Sequence, residues 1–189
     1  LCTDDFAGPW PHNCNLSVKA IMGVAGYALM ARMKGDAATA ERYMNRVRQM
    51  AKKWEADARE GDHYKLAFDR QNTWSQKYNM IWDKLWNTNL FGDEVMQREV
   101  SYYLKQQNTY GLPLDIRKDY TKTDWIMWSA AMANDKDTFL KFVEPIYKYI
   151  DETQSRVPIS DWHETKTGMM VGFKARSVIG GYWMRLLVK

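Results

Sequence analysis

At 189 residues and 22.2 kDa the chain has the length of one domain, enough to hide roughly 70% of its unfolded surface. With 46% hydrophobic and 26% charged residues it is neither disordered nor of low complexity. Its 27 basic residues are interleaved with 23 acidic ones, which leaves no massed basic face for nucleic acid, and the longest uncharged runs, Ala20 to Ala31 and Trp125 to Asn134, are too short to span a bilayer.

Glycine and proline cut the apolar runs into helices, and no alternating pattern of useful length predicts a strand. The first helix is expected from Leu16 to Met33, with Asn15 as its cap and Lys34-Gly35-Asp36 as its stop. The second runs from Ala37 to Arg59, where Ala40, Tyr43, Met44, Val47, Met50, Ala51, Trp54 and Ala58 draw one apolar stripe at steps of three and four. A third covers Asn79 to Asn87, a fourth Asp93 to Gln107 and a fifth, rich in Trp and Met, Thr123 to Ala133. The sixth, Lys136 to Glu152, carries an apolar stripe from Phe139 to Ile150 and a kink at Pro145. The seventh runs from Ala175 to Val188.

Helices one, three, five and seven are apolar nearly all round, whereas two, four and six are amphipathic. The first set must be covered on every side and the second lies at the surface. The expected fold is therefore all-α, an α/α toroid of helical hairpins with inner and outer rings, present here as a partial ring of about seven helices. The links alternate too: short at Lys34 to Asp36, Leu90 to Gly92 and Asn134-Asp135, long at Glu60 to Tyr78, Asn108 to Lys122 and Thr153 to Lys174. All long loops then share one rim with the N-terminal segment, Leu1 to Cys14. Leu66-Ala-Phe-Asp69, Trp74 and Trp82 recur 46 positions later as Leu112-Pro-Leu-Asp115, Tyr120 and Trp128, so one hairpin makes one repeat. The opening segment does not begin with Met and reads as mid-protein sequence, so the domain, residues 1–189, is expected to be a piece of a larger multidomain protein.

Cys2 and Cys14 fit a disulfide, a nucleophilic thiol or two ordinary thiols. His12, His63 and His163 are widely spaced, and no metal site or cofactor is expected. The long-loop rim instead gathers Asp4, Asp5, His12, Asn13, Asp69, Trp74, Lys77, Asp115, Asp119, Asp124, Trp125, Asp161, Trp162, His163 and Arg176. Paired carboxylates beside aromatic platforms suit glycoside chemistry. A carboxylate and an arginine suit capture of an amino acid through its ammonium and carboxylate.

At Asp4-Asp5-Phe6-Ala-Gly8, His12-Asn13-Cys-Asn15-Leu16-Ser17, Thr73-Trp74-Ser75-Gln76-Lys77-Tyr78-Asn79, Tyr120-Thr121-Lys122-Thr123-Asp124-Trp125, Arg156-Val157-Pro158, Asp161-Trp162 and Gly172-Phe173-Lys-Ala-Arg176, the chain resembles the C-terminal part of the glutaminase A family of fungi and Bacteroides-type bacteria. The resemblance spans nearly the whole chain. It implies a six-hairpin toroid, hydrolysis of L-glutamine to L-glutamate and ammonia by the whole protein, an N-terminal remainder as partner, and a secreted or periplasmic location. On that reading Asp4, Asp5, His12 and Asp124 are the catalytic candidates. Arg176 would hold the substrate carboxylate and an acid its ammonium, with Asn13, Trp74, Lys77 and Trp125 lining the site. A carbohydrate-active enzyme using the same carboxylates, and a non-catalytic half-ring, are the alternatives. At least two of Asp4, Asp5 and Asp124 are expected within about 10 Å of Arg176, the reach of an unscreened charge.

Overall fold

A computed structural model describes residues 8–188. Helix α1, Cys14–Met33, is capped by Asn13, whose side chain accepts the Leu16 N–H at 2.9 Å. Asn15, the expected cap, is instead buried in the first turn, where its Oδ1 accepts from the Asn79 side chain at 3.2 Å. Gly35, at φ 82, turns the chain into α2, Ala37–Ala58, which Asp36 caps through Thr39 N–H. The stripe of α2 is the face it buries: Ala40, Met44, Val47, Ala51, Trp54 and Ala58. Trp54 donates its Nε1–H to the Cys14 carbonyl and packs against the rings of Tyr64 and Phe91, so truncating it to alanine costs about 3–5 kcal/mol. By length and apolarity alone α1 would pass as a membrane span; in the fold it packs along α2.

The second hairpin opens with a 3-10 turn, Tyr78–Met80, and a shorter α3 than expected, Ile81–Trp86. Its stop comes from Asn87 in the left-handed region, φ 53, and from buried Asp83, whose carboxylate accepts Thr88 Oγ1–H and the N–H groups of Leu90 and Phe91. Helix α4, Asp93–Gln106, follows. The third hairpin is α5, Thr123–Ala130, and α6, Lys136–Glu152, which continues through Pro145.

Two expectations are corrected. The long loops hold strands: β1 (Arg59–Glu60) pairs with β2 (His63–Tyr64), and β3 (Tyr120–Lys122), β4 (Ser160–Glu164) and β5 (Met170–Lys174) form an antiparallel sheet in which Lys122 faces Trp162. The fold is thus mostly helical with two small sheets, not purely α. The seventh helix is a 3-10 helix, Ser177–Leu187, in which Met184 alone is buried. Odd elements are the more covered through α5, and the pattern fails here.

The odd-numbered elements touch in chain order: α1 meets the Tyr78–Met80 turn, that turn meets α5, and α5 meets the C-terminal 3-10 helix. The long loops are laced into one band. Phe68 N–H bonds to His12 O and Cys14 N–H to Leu66 O; Gln76 N–H reaches Leu114 O, and Thr165 N–H reaches Asp119 O. Trp10 is clasped between the guanidinium groups of Arg70 and Arg117, 5.0 and 5.1 Å from its ring.

Candidate functional site

Asp124 stands in the first turn of α5, immediately after β3, and is 4% exposed. Its Oδ1 has no hydrogen-bond partner among the described residues. Burial raises its pKa, opposed by the charges of Lys122 and Arg176 and by the N–H groups of its own helix end at Asp124 and Trp125. A buried carboxyl whose pKa is raised in this way is a candidate to give or take a proton.

Arg176 precedes the C-terminal 3-10 helix. Its guanidinium lies 4.3 Å over the Phe173 ring and 3.8 Å from Asp161 Oδ2, and donates no hydrogen bond to any described residue. Phe173 and Ala175 both hold left-handed backbone, φ 54 and 53, which for non-glycine residues costs on the order of 1 kcal/mol or more each. That double reversal at the exit of β5 folds Phe173 and Arg176 back over Lys122, whose Nζ is 5.0 Å from the Phe173 ring. Lys122 and Asp161 form a buried ion pair across the β3–β4 joint.

Trp125 stacks on Tyr78, ring centroids 4.4 Å apart, and begins an aromatic wall. With Trp82, Trp86 and Trp128, and with Lys19, Met22 and Asn79, it lines an open cleft of about 530 Å³.

The structure gathers only part of the expected set. Asp124, Trp125 and Arg176 converge; Asp4 and Asp5 lie outside the described residues, so their distance from Arg176 stands outside them too. His12 pairs with Asp69 at 3.0 Å and borders a separate cleft with Ile21, Met50, Trp54 and Phe68. Asn13 is engaged as the α1 cap and lines a small polar cavity of about 20 Å³ with Ser75 and Asp115. Trp74, 5% exposed, packs edge-on against Tyr102 in the core. Lys77 is fully buried and bonds the carbonyls of Tyr64 and Ser75, both at 2.9 Å, with Glu99 3.6 Å away. Both side chains are engaged within the packed interior beneath the long loops. Burial pushes the Cys14 thiol up to about 12, which removes it as a nucleophile. Lys122 and Phe173, which sequence reasoning did not single out, lie beside Arg176 in this group. Lys122 sits inside the Tyr120–Trp125 motif, two residues before Asp124, and that spacing was its one signal.

Residues 1–186 match the family model described as the Glutaminase A six helical-hairpin domain. The whole chain aligns at 28% identity with Glutaminase A of Aspergillus oryzae and at 29% with a probable glutaminase of Arthroderma benhamiae. It spans 28% and 26% of the lengths of those relatives.

Proposed function

Because the chain belongs to the Glutaminase A six helical-hairpin family, we propose that it is one wall of an amidohydrolase that converts L-glutamine to L-glutamate and ammonia. The observation that carries this reading is the nearness of two groups of opposite charge. Asp124 has an orphan buried oxygen and a raised pKa, and Arg176, close enough to act on that pKa, keeps its guanidinium donors available. In this reading Arg176 takes the substrate α-carboxylate, and Asp124 moves the proton that lets water attack the poorly electrophilic carboxamide. Asp4 and Asp5 remain candidates for the ammonium anchor.

The three hairpins form part of a ring in this proposal, and the remainder of the longer protein closes the cavity. The reaction then belongs to the longer protein, and the 189-residue segment alone hydrolyses glutamine very poorly, since misplacing groups by about 1 Å can cost roughly 100-fold. Ammonia release by the isolated segment at the rate of the longer protein would refute this.

The aromatic wall favours a second reading, carbohydrate chemistry, because flat ring faces stack on sugars. Products decide between them: ammonia and glutamate from glutamine, or reducing ends from glycans. In the longer protein, Asp124→Asn and Arg176→Lys should both suppress ammonia release. Undiminished turnover in both would leave the segment a scaffold.

A further inference from the structure

Asp161 is wholly buried in β4, and its Oδ2 is shared by two cations on unlike terms. Lys122, from β3, is in direct contact with it and is itself almost fully covered, with Nζ also near the rings of Phe173 and Trp125 at 5.0 and 5.8 Å. Arg176 is 3.8 Å away, beyond hydrogen-bond length, and its side chain is 37% exposed. One cation is therefore locked into the sheet. The other is held at the mouth by charge and by the Phe173 ring, and its donors are not consumed by the contact. Guanidinium donors spent on a carboxylate fork would have to be released before binding a second carboxylate.

We propose that Asp161 is a positioning residue, which aims the Arg176 guanidinium at an incoming α-carboxylate while Lys122 neutralises and fixes it. The inference rests on the amide-hydrolase reading for its ligand, an α-amino acid carrying a free α-carboxylate. Without the charge of Asp161, Lys122 would be left without this buried counter-ion, and two cations would face each other across Phe173. Arg176, a long flexible side chain, would then swing away from the mouth.

The test uses the longer protein and calorimetric binding of L-glutamate and of its α-amide, which lacks the α-carboxylate. The native protein should bind L-glutamate more tightly by at least about tenfold, the value of a charged hydrogen-bonded contact. Asp161→Asn should lose most of that preference, as should Arg176→Lys, and the two changes together should be far from additive. Since Asp161→Asn removes a buried counter-ion of Lys122 and threatens folding, the double variant Lys122→Met/Asp161→Asn is the second arm. It removes the pair together and should still lack the preference. Native preference in either folded variant, or tighter L-glutamate binding by Asp161→Asn, would overturn the proposal. Ammonia release from glutamine is measured separately. Its absence beside an intact, Asp161-dependent preference supports the anchor and rejects the reaction, whereas its presence beside a preference unmoved by Asp161→Asn does the reverse.

Discussion

Gly181 and Asp124 meet with no room between them: a Cβ on Gly181 would stand 3.0 Å from the Asp124 Cβ and 2.7 Å from Trp128 Nε1. The C-terminal 3-10 helix can lie against the first turn of α5 because position 181 has no side chain. Gly181→Ala is therefore expected to cost about 1–3 kcal/mol through overpacking and to displace Asp124, lowering turnover of the longer protein. Gly180→Ala, at a site with nothing within 4 Å, is the control. Equal behaviour of the two in denaturant titrations and ammonia release would show that the contact is slack.

Asp124 also makes a statement about stability. Its folded pKa is raised by burial, so its contribution is fully present below the unfolded carboxyl pKa and is lost as pH rises through the folded value. At neutral pH the ionised side chain costs the fold stability. Asp124→Asn should then melt higher than the native protein at neutral pH, with the gap closing as pH falls toward the ordinary carboxylate range. Turnover should fall by about 10²–10⁴-fold. A variant that melts lower at neutral pH would mean that the ionised carboxylate is a structural cap.

His163 works in the opposite direction. It is fully buried in β4, stacked 3.6 Å from Tyr149, with Nε2 2.7 Å from the Tyr110 carbonyl, and burial lowers its pKa to about 4. A depressed folded pKa supplies stability above the unfolded value of 6.5 that is lost as pH falls toward about 4. Over that window the protein should lose about 3 kcal/mol from this group. The acid limb of a stability–pH curve should flatten in His163→Gln, and an unchanged limb would assign the loss to other groups.

Lys77, with Glu99 and Tyr103, forms a buried set in which Tyr64 N–H and Tyr103 O–H both donate to Glu99. Lys77→Met leaves Glu99 charged without its cation and should cost about 3–5 kcal/mol. Lys77→Met/Glu99→Gln should recover much of that. Chemical denaturation gives both values, and a stable Lys77→Met protein with a raised KM would restore Lys77 to the substrate site.

Hydrophobic periodicity carried α2, which buries the stripe its sequence draws; in α6 it carried Phe142 and Ile146, but Tyr147 of the stripe is exposed and Tyr149 is buried instead. Link lengths separated the long loops from the short ones, and it is the long loops that bond to one another. The sheet was not legible, because β4 reads Ser-Asp-Trp-His-Glu and inverts the usual pattern: Ser160, Asp161 and His163 are the buried positions. Each is kept inside by a polar partner from another loop or strand, which no hydropathy pattern detects. Lys77 misled for the same reason. A lysine in a long loop suggests a solvent-facing cation, and only the carbonyls of Tyr64 and Ser75 make it a core residue. The seventh element is apolar yet largely uncovered, with Trp183, Leu186 and Leu187 all exposed, so composition overstated its burial.

The laced rim has a dynamic consequence. The N-terminal segment bonds to the first long loop, that loop to the second, and the second to the third, through Phe68, Cys14, Gln76 and Thr165 N–H groups. No loop can lift without breaking its neighbour's bonds, so the band opens as one cooperative unit. Amide protons of Phe68, Gln76 and Thr165 should therefore exchange with deuterium at a common rate, despite lying in different loops.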